Sequence, residues 1–317
     1  MTDSPTPFNN DSRSAQFSLG GNSSPANPVG YNGSPLAASQ MEVPAIQCFL
    51  VNKLHQHIQS QGIHLDPQDI PIHPIKDPWP IRYQSAIALK LATMIAQQPT
   101  DIATEMLRGF SLKSKCGDIG IQVIPSGMIE FQLTDHRVAT CLQQMTQTPL
   151  AESSFPVSSK VIIPENNHQK LFAVQYSHAR CCSLLQLADR DRIITLTQAT
   201  SQTTSLLWLF VKPSPIPWLD PEGKLQLSHR DERQLIWHLL TSLDACCTSS
   251  DQRFWKNKAN LLSQAFQAFY SQCQIWGEVK LKTPQRSQAR LGLILITQSI
   301  LKFILQEKLG IIAPLEL

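Results

Sequence analysis

The sequence predicts a mainly α-helical protein in sequential parts. A disordered tail covers residues 1–40, a small α+β domain covers 41–150, and a linker at 151–165 leads to a helical bundle over 166–317. Three observations carry that prediction. The first forty residues are largely Ser, Pro, Asn and Gly, with Asp3, Asp11 and Arg13 as their only charged side chains. Such a composition cannot bury enough apolar surface to offset ordering entropy. Around Pro125-Ser126-Gly127, apolar and polar residues alternate on both sides, which is a hairpin signal. Beyond residue 170, apolar residues return every three or four positions through several long stretches.

Each element follows from its local pattern. Residues 44–59 place Ile46, Phe49, Leu50 and Leu54 at helical spacing. Pro67, Pro71, Pro74, Pro78 and Pro80 then mark a connector. A helix is expected over 85–97, with Ile87, Leu91 and Ile95 on one face. Thr100 is placed to cap the next helix, Asp101 and Glu105 suit its positive end, and Gly109 to stop it. Ile119, Ile121 and Val123 pair with Ile129, Phe131 and Leu133 as the hairpin, and Val138, Cys141, Leu142 and Met145 suggest a closing helix. A short strand is expected at 161–163. Residues 171–190 form a helix whose face runs Leu171, Val174, His178, Cys181, Leu185, Ala188. Residues 193–197 and 205–211 read as strands, broken by Pro213, Pro215 and Pro217. Helices follow over 231–245 and 262–276, and the last carries Ala289, Leu293, Ile296, Ile300 and Ile304 before Gly310.

The bulk charge of +3 is too small to identify a nucleic-acid binder, but its distribution is informative. Residues 166–317 hold 17 Lys and Arg against 11 Asp and Glu, so the positive charge belongs to the C-terminal half. None of the eight cysteines forms a C-x-x-C pair, and no metal site or cofactor is expected. No positive region followed by an apolar run opens the chain, so no signal peptide is expected. The most apolar stretch, 291–305, is interrupted by Thr297, Gln298, Ser299 and Lys302 and is shorter than the roughly 20 residues of a membrane span. A cytoplasmic protein without membrane contact is the expectation.

The wording of the C-terminal half is more specific than its periodicity. Q-Y-S-H-A-R-C-C-S-L-L begins at Gln175, A-F-Q-A-F-Y-S-Q-C at Ala265, and R-L-G-L-I-L-I-T-Q-S-I-L-K-F-I-L at Arg290, closing on L-G-I-I-A-P-L-E-L. In this order they resemble the DALR-type anticodon-binding domain of arginyl-tRNA synthetases. Y-Q-S-A-I-A-L-K-L-A from Tyr83 and the hairpin P-S-G-M-I-E-F-Q-L are similar to the additional N-terminal domain of the same family. Ser85-Ala86 and Met128-Ile129-Glu130 depart from the family's wording there.

In that family an ATP-binding catalytic domain stands between these two parts, with H-I-G-H-type and K-M-S-K-S-type motifs. Here only the linker does. The nearest imitations, Gly62-Ile63-His64 and the run 111–115, fall inside the N-terminal part. The resemblance implies a non-catalytic, tRNA-binding relative, with arginine tRNA as candidate partner, acting as a carrier, regulator or accessory subunit in aminoacylation. The alternatives are a protein-interaction module that kept the fold and lost RNA contact, and the tRNA-binding half of a split synthetase working with a separate catalytic chain.

Candidate RNA contacts follow from the resemblance: Tyr176, His178 and Arg180, then Tyr270 and Gln274, then Arg290 and Gln298. Splayed bases stack on aromatics and guanidinium planes, and polar side chains read their edges. Core packing is the competing reading of Tyr176 and His178, and the favoured one for Phe266 and Phe269, which lie on the apolar stripe. Arg253, Lys256 and Lys258 interleave with Phe254 and Trp255, as in single-strand binders, although a solvated helix start gives the same pattern. Lys280, Lys282 and Arg286 precede the last helix and suit phosphates. Met128, Glu130 and Gln132 share the hairpin face away from the core and would meet the tRNA elbow. The insertion 193–224 is expected to shield or extend the RNA surface.

Overall fold

The computed structural model describes residues 45–113, 119–148, 168–199, 207–246 and 251–317. The tail, the linker and the strand expected at 161–163 lie outside them.

The first helix, α1 (Ile46–Ser60), buries Ile46, Leu50, Leu54 and Ile58 at the expected spacing. The proline connector is more ordered than its composition suggested. Asp66 caps a single 3-10 turn, after which the chain forms β1 (Ile72–Pro74) and β2 (Arg82–Ser85). The helix foreseen from Ser85 starts later, as α2 (Ile87–Ile95), because Tyr83, Gln84 and Ser85 are used as strand. The next, α3 (Pro99–Lys113), has proline in its first turn, so Thr100 is inside the helix rather than capping it. Gly109 does not stop it either. A Cβ at Gly109 would collide with the His57 ring, so glycine permits close packing of α3 on α1.

The hairpin is as the alternation predicts: β3 (Ile119–Val123) and β4 (Ile129–Leu133), with Gly127 at φ +81° in the turn. The four strands make one antiparallel sheet in the order β1-β2-β4-β3. Ile72, Tyr83, Phe131 and Leu133 face the core, where α1 and α3 cover the sheet. Thr134 then caps α4 (Asp135–Gln147) by accepting the Arg137 amide.

The helical half begins with α5 (His168–Arg190), whose predicted stripe is buried throughout. A hairpin follows, β5 (Thr195–Ala199) against β6 (Leu207–Lys212). Helix α6 (Arg230–Ala245) starts with a capping box in which the His229 side chain and Glu232 supply the reciprocal bonds. Helix α7 (Gln252–Gln272) starts ten residues before the expected boundary, capped by Asp251, so Arg253 to Lys258 form its first turns. The short α8 (Glu278–Lys282) leads into α9 (Pro284–Phe303), which ends in a π-helical turn, Ile304–Lys308.

Length and composition would let Pro284–Lys308 cross a membrane, contrary to the shorter apolar stretch read from sequence. Its apolar window is 78% buried, against α5, α6, α7 and α4, which is the condition of a core helix.

Both halves pack together. Tyr83 Oη donates to Asp244 Oδ2 at 2.6 Å, and the Gln47 amide donates to Asp244 Oδ1 at 2.9 Å. Burial pushes the Asp244 carboxyl up to about 6, although these donors pull the other way. Trp237 Nε1 donates to the Ile75 carbonyl, and Gln143 Oε1 accepts from both the Ile216 amide and Trp218 Nε1. Trp218 lies over α9 at Gly292, where a Cβ would fall 2.5 Å from its ring. The insertion containing β5 and β6 is therefore a wedge between α4 and α9.

Candidate nucleic-acid interface

The candidate interface is the open side of α5 where it meets α7. Small residues let the two helices approach: Ser177 Oγ lies 2.7 Å from Ser263 Oγ, and Ser263 Oγ also donates to the Ala173 carbonyl at 3.1 Å. Gln267 Nε2 closes the cluster on Ser177 at 3.2 Å. On this base, Arg180 Nη2 donates to Tyr270 Oη at 2.6 Å, with the guanidinium carbon 5.0 Å from the Tyr270 ring centroid. Tyr270 in turn stacks on Phe266, at 6.2 Å between centroids and 19° between planes. Phe266 and Phe269 are buried, as the apolar stripe implied.

Tyr176 is 47% exposed and precedes Arg180 by one helical turn, so both lie on the same side of α5. Phe172, one turn earlier again, is exposed too. Sequence reasoning missed it, although the spacing of Phe172, Tyr176 and Arg180 was the available signal. The C-terminal tail crosses this end of α5, where Gln175 Nε2 donates to the Ile312 carbonyl. The face thus combines exposed aromatic rings with a guanidinium held in place by a tyrosine. Such an arrangement can stack unpaired bases and meet their phosphates.

Other residues drawn from the same motifs do different work. His178 has no exposed surface. Its Nδ1 must carry the proton, since it meets the Pro314 carbonyl at 2.8 Å, and Nε2 then accepts from the buried Gln298 amide at 3.0 Å. Burial lowers the His178 pKa to about 4, which keeps the ring neutral. Arg290 is buried as well; its Nε donates to Glu232 Oε1 at 2.7 Å and its Nη1 to the Gln274 carbonyl. His178, Arg290 and Gln298 are therefore corrected from RNA contacts to internal polar groups, because all three are buried and hydrogen-bonded inside the fold. The Gln274 side chain is exposed just past α7.

The basic candidates are dispersed. Arg253 is exposed and Lys256 half-buried on the first turns of α7, whereas Lys258 turns inward. Its Nζ donates to Thr241 Oγ1 at 3.0 Å, and burial lowers its pKa. Trp255, between them, is a core residue. Lys280 pairs with Asp191 at 3.5 Å and Lys282 with Glu278 at 3.3 Å. Arg286 lies within the first turn of α9 rather than before it.

On the sheet, Gln132 is exposed and Met128 half-buried, but Glu130 is buried, which corrects its expected place on an open face. Its carboxylate accepts from Gln122 Nε2 at 2.8 Å and Gln84 Nε2 at 3.3 Å, with Arg82 at 3.6 Å. These neighbours stand beside Glu130 in the strand register and cover it. Among the described residues, no three or more His, Cys, Asp or Glu side chains converge as metal ligands do.

Residues 174–317 match the family described as the DALR anticodon binding domain. The chain is also similar to the arginine–tRNA ligase of a Synechococcus species, at 29% identity over 144 residues, 44% of this chain and 21% of that protein. The arginine–tRNA ligase of Gloeobacter violaceus is 31% identical over 136 residues, 41% of this chain and 20% of that protein. These alignments span about a fifth of the length of either relative. No solved structure matches.

Proposed function

We propose that this chain binds tRNA through the α5–α7 face and does not itself attach the amino acid. The observation that carries the reading is the coincidence of two things in one region. The match to an anticodon-binding domain covers residues 174–317, and exposed Tyr176 stands there beside half-buried Arg180 and Tyr270. The relatives' shared name makes arginine tRNA the first candidate partner.

The absence of catalysis rests on internal length. Only 20 residues, 148–167, separate α4 from α5, and an independently folded nucleotide-binding domain needs at least about 50. A carrier, a regulator or an accessory subunit of cytoplasmic aminoacylation fits such a protein.

The experiment is competitive binding of arginine tRNA, bulk tRNA and an anticodon-altered arginine tRNA across a salt series. Log K should fall by roughly 0.7–0.9 per neutralised phosphate for each tenfold rise in salt. The reading predicts a preference for the intact anticodon. Equal, weak binding to all three would contradict it and favour a protein-interaction module. Aminoacylation that appears on adding a separate catalytic chain would identify a split synthetase, while aminoacylation by this chain alone would refute the non-catalytic reading.

A further inference from the structure

A second site lies where the two halves meet. A cavity of about 460 Å³ is lined by Trp79 from the sheet half and by Lys224, Arg233 and Arg286 from the helical half. Arg233, on α6, places its guanidinium 4.6 Å from the Trp79 ring centroid. Arg286 sits in the first turn of α9, where its charge adds to the positive end of the helix instead of offsetting it. The Nε atoms of Arg233 and Arg286 are both buried without a hydrogen-bond partner. Buried guanidinium nitrogens normally find an acceptor, and these two residues, whose Nε atoms lack one, both line this cavity.

Two carboxylates also line it, and both are tied to backbone. Asp220 Oδ1 accepts the amides of Glu222 and Lys224, each at 2.9 Å, and Asp135 Oδ2 accepts that of Leu225 at 2.9 Å. Three cations against two carboxylates leave the cavity lining with a net positive charge. Guanidinium forks match phosphate oxygens, and an indole offers a face to a base. The volume is in the range of small-molecule sites.

We infer that this cleft between the sheet half and the helical half binds a nucleoside phosphate, with Arg233, Arg286 and Lys224 on the phosphate and Trp79 beside the base. The group can come from a free nucleotide or from one unit of a single-stranded RNA. This site is separate from the α5–α7 face and does not depend on it.

Calorimetric titration of the full chain with AMP, adenosine and inorganic phosphate tests the assignment. AMP should bind more tightly than adenosine, and Arg286→Gln and Arg233→Gln should each weaken it about tenfold or more. Trp79→Leu should weaken AMP while leaving inorganic phosphate unchanged. Lys224→Glu, at an exposed turn, should cost several-fold and keeps the test valid if an arginine variant fails to fold. Tyr270→Ala should leave AMP binding intact, which separates failure here from failure of the tRNA reading. A short single-stranded RNA that displaces AMP points to a strand as the source, and one that does not points to a free nucleotide. AMP binding no tighter than adenosine, or unaltered in Arg286→Gln and Lys224→Glu, would overturn the assignment.

Discussion

The inner and outer sides of α5 use residues only one or two positions apart for opposite purposes. Inside, His178 joins Gln298 of α9 and the Pro314 carbonyl in a buried polar seam. Outside, Tyr176 and Arg180 flank His178 in sequence and face the open side with Tyr270. The difference teaches that a motif shared with an RNA-binding domain need not be made of RNA contacts. His178, Arg290 and Gln298 are buried in the platform, while Tyr176, Arg180 and Tyr270 lie on its outer side.

The comparison can be broken most sharply on the inner side. Replacing Arg290 with Met should destabilise the protein by about 3–5 kcal/mol, because buried Glu232 would lose its only charged partner among the described residues. Denaturant unfolding measures this, and a loss below about 1 kcal/mol would mean that the Arg290–Glu232 pair does not hold α9 against α6. Tyr83→Phe removes a donor from buried Asp244 and should cost about 1–3 kcal/mol in the same assay.

Acid provides a third test. Burial depresses the pKa of His178 and His238 to about 4, below the unfolded value near 6.5. The unfolded chain then binds more protons between pH 6.5 and 4, so their contribution to stability is lost as pH falls through that window. Asp244, raised from 3.8 to about 6, acts in the opposite direction over pH 6 to 4, since the folded state takes up its proton first. His178→Gln should flatten the acid loss and Asp244→Asn should steepen it. Unfolding curves at several pH values would show whether the two variants shift the slope in opposite directions.

On the outer side the expected stability effects are small. Tyr270→Ala should cost about 1–2 kcal/mol, since its half-buried ring stacks on Phe266 as well as under Arg180, yet weaken tRNA binding roughly tenfold by removing a stacking surface. Lys282→Ala should change stability by less than about 0.5 kcal/mol, since its pair with Glu278 is solvent-exposed.

Much of this fold was legible in the sequence where periodicity was strong. The α5 stripe, the β3–β4 hairpin and the apolar face of α9 followed from spacing alone. The misses have physical causes. Strands β1 and β2 are three and four residues long among prolines, too short to show alternation. Gly109 suggests a break by residue type, but it serves the close approach of the His57 ring from α1. The start of α7 was hidden because Trp255 and Lys258 face inward among charged neighbours. For the site, Tyr270 was separable from Phe266 and Phe269 by its offset from the stripe. His178 was not separable from a contact residue, because its partners, Gln298 and Pro314, are more than a hundred residues away. The insertion's role as a wedge depends in the same way on Gln143 and Gly292, which no local pattern links to it.

The most direct measurement pairs two variants, Arg180→Ala and His178→Gln, and records both unfolding free energy and affinity for arginine tRNA under conditions where each remains folded. The account predicts that Arg180→Ala loses tRNA affinity and keeps nearly all its stability, whereas His178→Gln loses stability and keeps its affinity. Full tRNA affinity in Arg180→Ala, or its loss in a fully stable His178→Gln, would contradict the division of α5 into a structural side and a binding side.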